Sequence, residues 1–338
     1  MLFFFLIFCV HDLQYRKNPE THLFHIRMTY FGELVAIIVA CSWSCTAIFF
    51  EYAGKRIGSL HVNLIRLLFG GLMLGTLLLV TSGHFFPVGA DTHTWIWMSL
   101  SGLVGFVFGD LCLFYSYTLI TARFSQLIMT LAPPFAALFG FLLLDERTGL
   151  MGLVGMAITL TGIAISILKR SNGKERGLKF SLPLRGVLLA VGGALGQGLG
   201  IVLSKKGMFY YDQCFGTKIF FGNYIPFAAT QIRIITGVFG FSFIILITGK
   251  KDKLWQALHN GKGLLATLGG SFFGPFLGVS LSLTAVRYTE TGVASTIMAT
   301  VPILILIPYS IISKQWPKWI EVIGAVLCVV GVACFFMR

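Results

Sequence analysis

The sequence predicts an all-α, polytopic membrane protein of ten transmembrane helices arranged as two inverted five-helix repeats. Three observations carry this prediction. Of the 338 residues, 56% are hydrophobic and only 12% are charged, whereas an average soluble domain is about 25% charged; the mean hydropathy is +0.84. Runs free of Asp, Glu, Lys and Arg cover 124–144, 186–204, 264–286 and 291–313, each near the roughly 20 residues that cross a bilayer as a helix. The apolar residues run continuously instead of alternating, which excludes a barrel. Finally, residues 105–164 recur without a gap 169 positions later as 274–333.

The recurrence rests on backbone-determining residues. Eight of the sixty aligned pairs are identical: Gly105/Gly274, Gly109/Gly278, Ile128/Ile297, Met129/Met298, Pro133/Pro302, Gly155/Gly324, Gly162/Gly331 and Ala164/Ala333. Five of the eight are Gly or Pro, which fix backbone geometry and close packing, so the repeat is architectural.

Residues 1–29 form an N-terminal extension outside the fold. Its apolar run, 1–10, is too short to span and has no basic residue before it, unlike a signal peptide, and Met28 is the expected true start. The first helix, 30–50, carries Trp43 and ends at Glu51. The second, 60–82, carries Arg66 about two turns in. The third, 94–119, holds Gly105, Gly109, Asp110 near its middle, Tyr115 and Tyr117. The fourth, 122–144, holds Gln126, Pro133 and Pro134 and ends at Asp145 and Glu146. The fifth, 148–168, contains Gly155 and Gly162. A basic linker, 169–183, separates this first repeat (30–168) from the second (184–338).

The sixth helix, 184–207, has Gly192, Gly196 and Gly200 beside Gln197; the seventh, 224–248, carries Arg233. The eighth, 263–287, has Gly270, Gly274 and Gly278; the ninth, 290–313, has Pro302; the tenth spans 318–337. Glycines four residues apart stack on one face and let helices approach closely in lipid. The glycine run of the sixth helix lacks the preceding strand and later acid of a dinucleotide loop. Because each half has an odd number of helices, the second enters the membrane from the opposite side. That arrangement is typical of transporters with a central site.

Charge sets an expectation for orientation. Loops after the odd-numbered helices carry 15 Lys and Arg, against 9 in the termini and remaining loops, which by the positive-inside rule places both termini outside. The formal net charge of +13 thus reflects membrane topology and not nucleic-acid binding. Seven Cys without a CxxC pair and seven His without HExxH spacing imply neither disulfide nor metal site, and no cofactor is expected.

Ionisable residues within apolar helices are default functional candidates. Arg66 and Arg233 occupy matching places in the second and seventh helices, each with Gly four residues on (Gly70, Gly237). A gate or anion contact and a snorkelling anchor are both open for them. Asp110, whose counterpart is Val279, must pair or be protonated; proton coupling and an ion pair with Arg66 or Arg233 are the alternatives. Trp43, Tyr117, Gln126 and Gln197 are further candidates for a substrate cavity, with helix-packing roles as the competing reading. Pro133, Pro134 and Pro302 are expected to break their helices, either as hinges for alternating access or as static kinks. Glu51, Asp145 and Glu146 read as boundary residues. No catalytic constellation is apparent, so the chain is not expected to be an enzyme.

The segment IMTLAPPFAALFGFLLLDERTGLMGLVGMAITLTGIAI resembles the EamA repeat of the drug/metabolite transporter superfamily. The family pattern of Pro, Gly and Glu along the fourth helix and two glycines in the fifth is matched by Pro133, Gly140, Glu146, Gly155 and Gly162. The early Arg of the second helix is matched by Arg66 and Arg233. The second copy departs from the pattern at Tyr309 and Gln315, so any role of Glu146 is not symmetric. The resemblance spans about 30–337. It implies ten helices in two EamA-type repeats, a cavity between the halves, cytoplasmic termini in opposition to the charge count, and export of small metabolites.

The expected function is therefore a secondary active transporter, multi-pass in the plasma membrane (bacterial inner membrane). It would export amino acids or related compounds by alternating access, with Asp110 as a proton-coupling candidate. A nucleotide-sugar or sugar-phosphate exchanger of the same superfamily is the alternative, and a non-transporting membrane scaffold or sensor is the alternative from another class. The partners expected are a small-molecule substrate and the lipid bilayer, with a homodimer left open and no nucleic acid.

Overall fold

The computed structural model describes residues 30–168, 183–215, 224–304 and 319–334. The N-terminal extension and all of the basic linker except residue 183 lie outside the described residues. The described chain is helices joined by short connections, with no strand among these residues. Six helical stretches are long and apolar enough to cross a membrane: Phe31–Ile57, Ser59–Ser82, Thr92–Tyr117, Leu184–Cys214, Tyr224–Ile247 and Gly261–Tyr288.

In the first half, α1 is Phe31–Ile57 and α2 is Ser59–Ser82; α3, Thr92–Gly102, passes through a π-helical stretch, Leu103–Asp110, into α4, Leu111–Met129; α5 is Ala132–Leu144 and α6 is Leu150–Leu168. In the second half, α7 is Leu184–Phe215, α8 is Tyr224–Ile247, the short α9 is Lys251–Leu258 and α10 is Gly261–Ser271. A second π-helical stretch, Phe272–Gly278, leads into α11, Val279–Tyr288; α12 is Thr291–Met298, α13 is Val301–Leu304 and α14 is Trp319–Cys334. Helices α1 and α7 outrun the sequence expectation by about two turns; in α1 the basic residues Lys55 and Arg56, taken as loop, are accommodated within the last turn of the helix.

The irregularities recur with the sequence. The π-helical stretches begin at Leu103 and Phe272, 169 residues apart, and the interruptions at Thr130–Leu131 and Ala299–Thr300 have the same separation. Pro133 and Pro134 therefore do not break a helix interior as expected; they occupy the first turn of α5, just after the break. The missing N–H of proline is no loss there, since first-turn donors have no intrahelical acceptor. Pro302 likewise lies at the start of α13.

Although α4 is helical over its whole length, it cannot be straight. Ser116 Oγ donates to Ser125 Oγ at 2.7 Å and Gln126 Nε2 to Tyr117 Oη at 2.6 Å, whereas nine residues of straight helix advance about 13.5 Å. The chain therefore folds back between these pairs, where the sequence places the boundary between its third and fourth helices.

The two glycine rows do different things. A Cβ on Gly196 would stand 2.7 Å from the Gly109 Cα, and one on Gly200 would stand 2.9 Å from the Gly105 Cα. Here α7 lies backbone to backbone on the first π-helical stretch, and Ser101 Oγ donates to the Gly200 carbonyl at 2.6 Å. The row Gly270, Gly274 and Gly278 instead receives large side chains of α1: Phe50 against Gly270, Thr46 and Phe50 against Gly274, and Trp43 against Gly278. At the periphery α14 packs on α6, with Gly331 set against Thr159.

Helix α3 starts from a side-chain cap: Asp91 accepts from the Thr94 N–H at 2.8 Å. The Thr94 side chain beside it and the Thr94 backbone N–H bonded to it hold the Asp91 carboxyl below the usual carboxylate range. A group whose pKa is lowered by folding adds stability above its unfolded pKa, and that stability is lost as pH falls through the folded value. Asp91→Ala is accordingly expected to shrink the difference in thermal midpoint between neutral and acid pH; an unchanged difference would remove Asp91 from the acid response.

Candidate functional site

A cavity of about 140 Å³ lies within the bundle, lined from both halves of the sequence. From the first half come Trp43, Arg66, Asp110, Tyr117, Gln126 and Pro133, and from the second come Gln197, Arg233, Val279, Ser282 and Ser295, with others. The structure thus brings together all five sequence candidates for the cavity wall and both arginines. Pro134 is not among the lining residues, and the Pro302 side chain lies outside the described residues. Tyr115 points away and lies under Arg185, whose guanidinium carbon is 5.4 Å from the ring centroid.

Asp110 closes the first π-helical stretch. Such wide turns are uncommon and recur at functional sites, because they turn a side chain out of the regular helical register. Its Oδ2 accepts from Arg66 Nη2, which settles the ion-pair partner as Arg66. Arg66 Nε donates to Asn63 Oδ1 at 2.9 Å, one turn earlier on α2. The guanidinium carbon lies 5.1 Å from the Phe114 ring centroid, 5.6 Å from that of Phe50 and 5.7 Å from that of Phe106. Arg66 is therefore held by an acid, an amide and three rings, and at 4% exposure it does not snorkel to an interface.

Arg233, 3% exposed, sits differently. Its guanidinium carbon is 4.5 Å from the Phe106 centroid, a cation–π distance, and Nη2 lies where a Cβ on Gly105 would be 2.8 Å away. Its Nε has no hydrogen-bond partner. Phe106 thus carries both guanidinium groups, while Asp110, the one acid among the described residues of the wall, is bonded to Arg66. Among the described residues no three His, Cys, Asp or Glu side chains cluster as metal ligands would.

A polar network spans the two halves near the start of α1, about 15 Å along that helix from Trp43 at 1.5 Å per residue. Glu146, just past α5, accepts from the Thr291 N–H at 2.9 Å and the Thr291 hydroxyl at 2.5 Å. Its other oxygen is 2.6 Å from Lys205 Nζ, and Lys205 also donates to the Thr289 carbonyl at 2.6 Å. The Thr289 hydroxyl donates to Glu33 Oε1 at 2.8 Å. Glu146 is therefore not the boundary residue expected from sequence: its side chain is 14% exposed and ties α5 to α7 and α12. Lys205→Met leaves Glu146 with Thr291 alone and is expected to cost on the order of 1–3 kcal/mol, read as a lower thermal midpoint in detergent; an unchanged midpoint would make the network incidental.

The model of the EamA-like transporter family matches residues 30–168 and, separately, 184–337. The chain belongs to the EamA-like transporter family. Over 147 residues it is 29% identical to the uncharacterized transporter YoaV of Bacillus subtilis (strain 168), a match covering 43% of this chain and 49% of that protein. The chain thus spans about half the length of the curated relative it matches. A protein of known crystal structure, 15% identical, superposes with a TM-score of 0.65 over 90% of this chain and 96% of its own, a likeness of fold alone.

In this EamA-like transporter, sequence reasoning missed Asn63, Glu33, Lys205 and Thr289. Asn63 stands one turn before Arg66, a spacing that puts two side chains on one face of a helix and could have been read. Glu33 and Lys205 sit in segments taken as helix ends, and their contacts join residues far apart in sequence.

Proposed function

We propose that the protein is a secondary active transporter of the bacterial inner membrane that exports small metabolites, amino acids or related compounds, by alternating access with Asp110 as the proton-coupling group. The observation that carries this reading is the buried Arg66–Asp110 pair on the wall of a cavity built from both family-matched segments. Charges held inside membrane segments are costly and mark ion or substrate pathways. The wall residues Trp43, Tyr117, Gln126 and Gln197 are read as substrate contacts.

The same reading takes the two matched segments as inverted five-helix repeats. Six long spans, the shorter apolar helices Ala132–Leu144, Leu150–Gly162 and Val322–Gly331, and the segment beginning at Thr291 give ten crossings. The recurrence of the π-helical stretches and chain breaks at one offset supports this. The breaks before Pro133 and Pro302 are the hinges, and the Glu146–Lys205 network is the closed gate of one end. The test is efflux of labelled amino acids, nucleosides and organic acids from proteoliposomes under an imposed pH gradient. Gradient-dependent efflux of any of them is expected; its absence for all of them with monodisperse protein overturns the reading.

A further inference from the structure

The two halves carry matching arginines but not matching partners. Arg66 has Asn63 and Asp110. At the offset that relates Arg66 to Arg233, Asn63 corresponds to Thr230, whose hydroxyl is turned back to the Pro226 carbonyl of its own helix at 2.8 Å. At the offset of the repeat, Asp110 corresponds to Val279, an apolar side chain on the same cavity wall. Arg233 has thus lost both kinds of partner its twin keeps, yet it remains 3% exposed with Nε unpartnered. A buried guanidinium without a hydrogen-bonded acid is costly unless something supplies one, and Asp110, which reaches Arg233 through its charge alone, is already bonded to Arg66.

The charged residues lining the cavity, among those described, are Arg66, Arg233 and Asp110. One carboxylate against two guanidiniums leaves a surplus of one positive charge. We infer that the cavity binds a small monocarboxylate, whose carboxylate takes at Arg233 the place that Asp110 holds at Arg66 and whose apolar body lies against Phe106 and the neighbouring aromatic wall. This rests on reading the cavity as the substrate site, and narrows the metabolites proposed above to carboxylates of net charge −1. Guanidinium groups match carboxylate geometry with paired donors. A phosphate monoester carries about −1.5 to −2 at neutral pH, more than the surplus, and the remaining wall offers hydroxyls, the Gln126 and Gln197 amides and aromatic rings but, among the described residues, no further cation.

The test is binding to the purified full-length protein by thermal shift and calorimetry, with phenylacetate, phenylacetamide and phenyl phosphate as probes. Phenylacetate is expected to bind at least about 100-fold more tightly than its neutral amide, the scale of a desolvated charge contact. Amide binding within threefold of the acid, or phenyl phosphate binding more tightly than phenylacetate, overturns the assignment. These comparisons need no variant. Arg233→Gln is expected to lose phenylacetate binding. Val279→Asp, which restores the acid that the second half lacks, is expected to bind phenylacetate about 100-fold more weakly than Val279→Asn of the same shape; equal affinities overturn the proposal. If phenylacetate does not bind while another metabolite is transported, only this inference fails. If it binds and no solute is moved in proteoliposomes, the transport reading fails and the binding site stands.

Discussion

Asp110→Asn is expected to reduce gradient-driven flux to background while substrate binding and gradient-independent exchange survive. Asparagine keeps an acceptor oxygen for Arg66 Nη2, so the contact that positions α2 against the first π-helical stretch is retained, but it has no proton to carry. The comparison is net efflux under a pH gradient against exchange at equal pH on both sides. Loss of both would make Asp110 structural, and retention of gradient-driven efflux would end its coupling role. Arg66→Met is the harsher change. It leaves the Asp110 carboxylate buried without its cation, and breaking a buried pair from one side costs about 3–5 kcal/mol, which is expected as failure to purify as a monodisperse protein.

The second large effect is at Gly196. Its missing side chain faces backbone, with the Gly109 Cα 2.7 Å and the Val104 carbonyl oxygen 2.9 Å from where a Cβ would stand. Backbone cannot rotate away as a flexible side chain can, so α7 must move as a whole. Gly196→Ala is expected to lower stability by about 1–3 kcal/mol, the usual scale of overpacking, and Gly196→Leu to abolish folding. Gly192 is the control on the same face: a Cβ there meets Cys112 Sγ at 3.5 Å, ordinary contact, so Gly192→Ala should melt like the parent. Equal midpoints for the two alanine variants would refute the tight α7 contact.

Much of this was legible in the sequence because the repeat falls on residues whose backbone consequences are specific. Gly105, Gly109, Gly196 and Gly200 announced a close helix contact and make one, and the rarity of charge in apolar helices singled out Arg66, Asp110 and Arg233, which meet at one cavity. What failed is equally specific. The row at Gly270, Gly274 and Gly278 has the same spacing as the Gly192, Gly196 and Gly200 row, yet accommodates aromatic side chains of α1, because spacing says that room exists and not what fills it. Proline alone did not tell a kink from a restart, so Pro133 was placed inside a helix that ends before it. Glu146 looked like a water-exposed helix end, since its partners Lys205 and Thr291 come from the other half and no local pattern links them.

The unequal count of guanidiniums and carboxylates on the cavity wall also decides where voltage acts. On the alternating-access reading proposed above, a cavity with Asp110 ionised carries one unit of positive charge through the membrane field when empty and none when it holds a monocarboxylate, and a proton returning on Asp110 adds a second unit to the empty stroke. A unit charge crossing 100 mV changes free energy by about 2.3 kcal/mol, so an inside-negative potential draws the empty form inward and leaves the loaded step unaffected. Export of an anion would then be electrogenic through its return stroke. A voltage jump on reconstituted protein would give a transient current without substrate, and saturating carboxylate would silence it.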